Sequence, residues 1–184
     1  MQYLINTDGQ YVSMIDGTSS EIIQQTPEGY TTTVLAPPRS SDYWNGSNWV
    51  PIGSAPAYYF KFDYKIKDWV DTRNIEEVKV QKWNQIKLER NIAEFGGFLC
   101  DGLPFDSDQI SQGRILAAYL FNQPVAWTLA NDEVITLSVE QIQRVALSMA
   151  KHVQKVHEQA RIARVAIKEA TTIKEVEAVM FNGK

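Results

Sequence analysis

The fold is decided by residues 138–170, which read SVEQIQRVALSMAKHVQKVHEQARIARVAIKEA. Their apolar and small residues recur at alternating steps of four and three, which places one stripe along one face of an α-helix. The stripe consists of Ile142, Ala146, Met149, Val153, Val156, Ala160, Ala163, Ile167 and Ala170. Ser138 and Gln141 occupy the N-cap and N3 positions of a capping box, so the helix is predicted to begin at about Val139. No glycine or proline interrupts the segment before Thr171, which predicts one continuous helix.

The length of this predicted helix raises the question of what covers it. About 32 residues at ~1.5 Å each span roughly 48 Å, more than the ~25–30 Å width of a domain of this size. Part of the helix is therefore expected to protrude or to lie along a partner. Two arrangements fit the seven-residue repeat: a coiled coil with other copies, or the central helix of a small helical domain. Leu147, Ile162 and Val165 widen the apolar face, as burial inside a domain requires.

Composition limits the class of protein. A chain of 184 residues with 44% hydrophobic and 22% charged residues is typical of a globular protein of one or two small domains. Residues 1–72 carry eight acids against four bases, and residues 73–184 carry fourteen of each. Neither part has the basic excess that binding to a phosphate backbone requires, so no nucleic-acid partner is expected. The basic residues of the long helix are interpreted as a solvated face.

The expected compartment follows from the cysteine count and the hydropathy. The single cysteine, Cys100, excludes an internal disulfide and a multi-cysteine zinc site. No apolar run approaches the ~20 residues of a membrane span, and the first residues lack a charged-then-apolar leader. We expect a protein made in the reducing cytoplasm of its host, without a membrane partner.

Residues 1–72 are predicted to form a small antiparallel β module rich in aromatic residues. Asp8-Gly9 and Asn45-Gly46 are hairpin turns, and the second turn places Trp44 and Trp49 across from each other. From Tyr58 the chain alternates in period two, which predicts a half-buried strand with one aromatic face: Tyr58, Phe60, Phe62 and Tyr64. These aromatics are either the core of small sheets or a surface that stacks on carbohydrate, and the core interpretation is favoured.

The period changes near residue 73, where the second domain, residues 73–184, is predicted to begin. Asn74 and Glu77 form a capping box for a helix that ends at Gly96-Gly97. Three elements of known type follow before the long helix: a hairpin around Asp101-Gly102, a helix capped by Ser107 or Asp108, and a hairpin over residues 125–137. Thr172 and Glu175 begin a last short helix. The predicted fold class is α+β: the β module followed by a mainly helical domain with short hairpins and one long helix.

No pattern of residues predicts a reaction centre or a cofactor. Cys100 and a histidine could form a thiol–imidazole pair, but no signature accompanies them, and a structural cysteine is favoured. His152 and His157 are five residues apart on the long helix, so they are predicted to face solvent in different directions and not to share a metal. Asp101, Asp106 and Asp108 lack the spacing of a calcium loop and are interpreted as turn and cap residues.

Five segments between about residues 78 and 179 carry a resemblance to a known family: KWNQIKLER at 82–90, GGF at 96–98, DGLPFDSD at 101–108, WTLAN at 127–131 and ATT at 170–172. They resemble an uncharacterised domain family found at the carboxyl ends of tailed-phage proteins encoded near tail fibres. More weakly, YWNGSNWV at 43–50 and WVD at 69–71 are similar to aromatic modules of fibre and fibre-assembly proteins. The family carries no established reaction or binding residues.

This resemblance implies a non-enzymatic, tail-associated structural protein that binds or forms part of the tail fibre or baseplate of a phage particle. The alternative is a tail-fibre assembly chaperone. The expected partners are other tail or fibre proteins, and a homo-oligomer is expected. The candidate partner-binding residues are Trp44, Trp49, Tyr59, Trp69, Met149, Val153, Val156 and Ala160.

Overall fold

The computed structural model describes residues 1–183 and has the predicted α+β fold class. The chain forms two compact units, the first covering Met1–Arg73 and the second beginning at Asn74. The first unit contains short antiparallel sheets, and the second contains four of the five helices with two β-hairpins.

The first unit is built on a three-stranded antiparallel sheet with the order β2-β1-β3. Two further β-hairpins and one helix complete the unit. Its elements are β1 (Gln2–Ile5), β2 (Tyr11–Ile15), α1 (Ser19–Gln25), β3 (Thr31–Thr33), β4 (Tyr43–Trp44), β5 (Trp49–Val50), β6 (Phe60–Asp63) and β7 (Asp68–Asp71). Leu4, Ile5 and Ile22 form its buried apolar centre.

Two details of the first unit differ from the prediction. Helix α1 was not predicted, although Thr18 and Glu21 form a capping box, because its seven residues contain too few apolar positions to show a helical period. Tyr58 does not belong to the aromatic face of β6: the strand begins at Phe60, and Tyr58 is 97% exposed. The predicted pairing of the two indoles is confirmed, since Trp44 lies opposite Trp49 with ring centroids 5.4 Å apart.

The second unit alternates helices and hairpins. Its elements are α2 (Ile75–Phe95), β8 (Phe98–Cys100), β9 (Leu103–Phe105), α3 (Gln109–Phe121), β10 (Val125–Thr128), β11 (Val134–Leu137), α4 (Val139–Glu169) and α5 (Ile173–Ala178). The capping boxes predicted at Ser138 and Thr172 are confirmed. Asn74 caps α2 by accepting a hydrogen bond from the amide of Glu76, without the predicted reciprocal bond from Glu77.

Helix α4 is the central helix of the second unit, and its apolar stripe is covered by other elements of that unit. Its first half contacts α3, β8 and β11, and its second half contacts α2 and α5. Two apolar clusters lie along it, one around Ile142 and Val145 and the other around Ala160, Ala163 and Ile167. The helix therefore has partners within its own unit, which resolves the question raised by its length.

The predicted width of the apolar face of α4 is wrong. Leu147, Ile162 and Val165 are each more than half exposed, and Val145 is buried in their place. The spacing of the apolar residues predicts that the segment is a helix. The positions of α2 and α3 decide which side of that helix is buried.

Candidate protein-interaction surface

Helix α3 is apolar on all sides over its second half. Residues 115–121 read ILAAYLF, with no charged side chain. Asp108 fixes the start of the helix by accepting hydrogen bonds from the amides of Ile110 and Ser111, and Asn122 ends it in the left-handed conformation. Only one side of α3 packs inward, through Ile115 and the half-buried Ala118. A helix that is hydrophobic all round is normally buried, so the outer side of α3 is unusual.

The outer side of α3 forms an exposed apolar patch together with one residue of α4. Leu116, Leu120 and Phe121 are 53%, 71% and 63% exposed. The residues of this patch, named here the α3 surface, are Leu116, Tyr119, Leu120 and Phe121 of α3 and Leu147 of α4. Because Leu116 and Leu120 are one helical turn apart, they form a ridge along the outside of the helix.

A groove runs along each side of this ridge. The first, of about 680 Å³, lies between α3 and the β10–β11 hairpin and includes Phe121, Trp127, Arg114, Asp106 and Asp132 among its lining residues. The second, of about 580 Å³, lies between α3 and α4 and is lined by Leu116, Tyr119, Gln143, Ala146, Leu147, Met149 and Ala150. The second groove has no charged lining residue, so it suits an apolar protein side chain, whereas the first groove also offers Arg114, Asp106 and Asp132 for polar contacts.

A second exposed apolar stripe lies on α2. It contains Val80, Leu88, Ile92 and Phe95, which recur at helical spacing on the side away from the buried Val78 and Ile86. Gln81, Asn84 and Gln85 lie on the same side. This stripe is more polar than the α3 surface, and the depression beside it at Glu76, Glu77, Val80 and Gln81 measures about 390 Å³, less than either groove of the α3 surface.

The candidate partner-binding residues on α4 lie mainly in the interior. Val156 and Ala160 are buried within the chain, so they are not on the surface of this fold. Val153 is half-buried, and Met149 packs against the apolar cluster around Ile142 while lining the second groove. The sequence correctly predicted the apolar stripe of α4, but other elements of the second unit cover this side of the helix. Of the four residues, Met149 is the one that borders the α3 surface.

The candidate aromatic residues of the first unit are half-buried and hold neighbouring loops. The indole Nε1 of Trp49 donates to the carbonyl oxygen of Leu35 at 2.8 Å, and that of Trp69 donates to Ile52 at 3.0 Å. Trp44 packs on the edge of Trp49. The guanidinium of Arg73 lies 4.0 Å from the ring centroid of Tyr59, a cation–π contact. These contacts give each side chain a role in the packing of the unit.

The prediction that His152 and His157 face solvent is wrong. Both are half-buried, and both contact Glu94 at the end of α2. His152 Nε2 lies 3.2 Å from the carbonyl oxygen of Glu94, and His157 Nε2 lies 3.0 Å from its carboxylate Oε2. His152 contacts the main chain of Glu94 and His157 contacts its side chain. Two histidines five residues apart on α4 can therefore contact the same residue. His152 also stacks on Phe98, with centroids 5.9 Å apart.

The remaining polar residues that the sequence singled out act as caps and turns. Ser111 Oγ and the amides of Ser111 and Ile110 donate hydrogen bonds to Asp108, which lowers the pKa of its carboxyl below the ordinary value. Asp101 occupies the turn between β8 and β9 with a positive φ and pairs with Arg144 at 2.8 Å. The pairing raises the pKa of Arg144 above its ordinary value, mainly through the hydrogen bond to Asp101. Cys100 is buried, and its Sγ accepts a hydrogen bond from Ser148 Oγ at 3.4 Å.

Within residues 1–183, no three histidine, cysteine or acidic side chains come together as metal ligands. The helices of the same range include none with the length and apolarity to cross a bilayer.

The second unit corresponds to a known sequence family. Residues 77–180, more than half of the chain, match a family described as a domain of unknown function (DUF4376). The chain belongs to this family. The matched residues run from the first turn of α2 to beyond α5, so the family domain includes α3, both grooves and the stripe on α2. No curated protein and no solved structure matches the chain.

The α3 surface was the feature that the sequence left unrecognised. The signal was present in residues 115–121, because a run of seven uncharged, mostly large apolar residues in a 13-residue helix exceeds what one buried face needs. Its exposure became visible only when the contacts of α3 with α4 and β10 were known.

Proposed function

We propose that this chain is a non-enzymatic structural subunit of a tailed phage that binds to, or forms part of, the tail fibre or the baseplate. The observation that carries the proposal is the exposed α3 surface, since soluble monomers rarely expose so continuous an apolar patch unless another molecule covers it. The phage setting comes from the resemblance of residues 82–90 and 101–108 to domains encoded near tail fibres.

The contacts of the second unit support a rigid binding platform. Helices α2, α3 and α4 pack around two apolar clusters, and the polar contacts of Glu94 with His152, His157 and Ser107 join α2 to α4 and to the segment before α3. An interface on packed helices costs little ordering entropy when it forms. In this proposal the partners are other tail or fibre proteins, and the protein resides in the tail of the particle.

A tail-fibre assembly chaperone is the second candidate function. The α3 surface favours it as well, because a chaperone needs an apolar face with which to cover an unfinished fibre. The two candidate functions differ in where the protein is found after assembly. A structural subunit stays in the particle, whereas a chaperone that leaves after assembly is absent from it.

Quantitative mass spectrometry of gradient-purified particles tests the proposal. A structural subunit is expected at a fixed ratio to an internal reference such as the tail-tube protein, and the ratio should survive a second gradient. Abundance in the lysate together with absence from particles would overturn the subunit proposal and favour the chaperone.

A further inference from the structure

We propose that the α3 surface is a twofold interface at which two copies of this chain pair. The inference rests on one part of the proposed function, namely that the chain acts by binding other protein chains. It names a specific partner, a second copy, and a specific element, α3.

The shape of the surface fits a copy of itself. In a twofold pair the same patch meets itself, so a ridge on one copy needs a groove on the other. Helix α3 supplies both, because the ridge of Leu116 and Leu120 lies between the two grooves of about 680 and 580 Å³. The ridge of one copy can enter the groove between α3 and α4 of the other, as packed helices do.

The exposed area is sufficient for a stable pair. The five side chains of the α3 surface, each about half exposed or more, present on the order of 500 Å² of mostly apolar area. An interface of standard size buries about 800 Å² on each partner, of which about 56–65%, or roughly 450–520 Å², is apolar. The α3 surface therefore supplies about the apolar area that such an interface needs.

The charges do not oppose the pairing. Residues 115–121 carry none, so two copies bring no like charges together at the centre. At the edge, the first groove carries both signs, Arg114 on α3 and Asp106 and Asp132 opposite. Because a second copy presents the same set in reverse order, opposite charges can meet at the rim.

Sedimentation of the full-length protein with matched variants tests the inference. The wild-type chain is expected to be a reversible dimer, and Leu120→Glu should raise the dissociation constant at least ~30-fold, as loss of a central contact does. Leu88→Glu places the same charge on the α2 stripe and should leave the dissociation constant unchanged. Because both leucines are exposed, both variants should melt close to the wild-type temperature at protein concentrations below the wild-type dissociation constant, where dimerisation adds no stability.

A pair of cysteine variants tests the geometry separately. An equimolar mixture of Leu120→Cys and Leu147→Cys chains is expected to form a mixed disulfide between two copies under mild oxidation, because the ridge of one copy enters the groove that Leu147 lines on the other. A mixture of Leu88→Cys and Leu147→Cys chains should not, and the native Cys100 is buried and does not compete. A wild-type chain that stays monomeric would overturn the inference, as would a dimer that Leu88→Glu dissociates and Leu120→Glu does not. Either result would leave the mass-spectrometric test of the proposed function unaffected.

Discussion

Ser107 closes the carboxyl end of α2 by donating a 2.5 Å hydrogen bond from its Oγ to the carbonyl oxygen of Glu94. The same oxygen of Ser107 accepts a hydrogen bond from the amide of Gly97 at 2.8 Å, and the side chain is fully buried. One hydroxyl therefore satisfies two main-chain groups at the end of the helix and ties α2 to the segment that precedes α3.

Removal of this hydroxyl gives the first prediction. Ser107→Ala is expected to lower the free energy of unfolding of the second unit by about 1–2 kcal/mol, because the half-buried amide of Gly97 loses its partner and the carbonyl oxygen of Glu94 keeps only its contact with His152. Denaturant unfolding followed by tryptophan fluorescence measures the change. Ser47→Ala, in an exposed turn of the first unit, should cost close to nothing. Equal stability of the two variants would show that the contact does not hold α2.

The packing of α2 on α4 can be tested by comparing a buried residue of α2 with an exposed residue close to it on the same helix. Ile86 is fully buried and Leu88 is 65% exposed, two positions further along the same helix. Ile86→Ala is expected to cost about 2–5 kcal/mol through lost burial and a cavity, whereas Leu88→Ala should stay within ~0.5 kcal/mol. Chemical denaturation compares the pair. A large loss at Leu88 would mean that the α2 stripe is covered in solution.

Two glycines of the first unit form another matched pair. Both have positive φ, +75° at Gly9 and +100° at Gly46, so alanine is strained at each position. A Cβ at Gly9 would lie 2.4 Å from the carbonyl oxygen of Trp44, whereas a Cβ at Gly46 would meet nothing within 4 Å. Thermal unfolding should therefore show a much larger loss for Gly9→Ala than for Gly46→Ala, which should cost about 1–2 kcal/mol. Similar losses would contradict the close approach of Gly9 to β4.

The N-cap of α3 should make stability depend on pH. The pKa of Asp108 is lowered in the folded chain, so the stabilisation by its charged form is present above the ordinary pKa of 3.8 and is lost as the pH falls through the folded pKa. At neutral pH the wild type should have the highest melting temperature, because its cap is charged. Asp108→Asn keeps a neutral cap and should melt at a lower temperature, and Asp108→Ala, which has no cap, should melt at the lowest. The margin of the wild type over Asp108→Asn should shrink in acid. A margin that stays constant down to the acid limit of folding would contradict the assignment.

Local sequence rules were sufficient where a segment carried its own signals. The start of α4 at Val139, the hairpin at Asp101-Gly102 and the Trp44–Trp49 pair followed from a capping box and two turn dipeptides. Helix α1 was missed because a seven-residue amphipathic pattern is too short to separate from a loop.

What could not be predicted depends on contacts between elements distant in sequence. Val156 and Leu147 are both apolar residues of α4, yet the first is buried and the second exposed, since α2 and α3 cover only one side of the helix. His152 and His157 contact Glu94 although they lie 58 and 63 positions further along the sequence. For the same reason the partner-binding residues predicted on α4 lie mainly on its covered side, whereas the α3 surface consists mostly of residues of α3.

The central claim is that the chain acts by presenting α3 to other protein chains in a phage tail. Its most direct test is the number of copies of wild-type and Leu120→Glu protein per purified particle, measured by quantitative mass spectrometry after each is supplied to a phage that lacks its own gene. The account predicts a fixed number of wild-type copies and strong depletion of the variant, with the variant still soluble and folded in the lysate. Equal incorporation of the two proteins would contradict it.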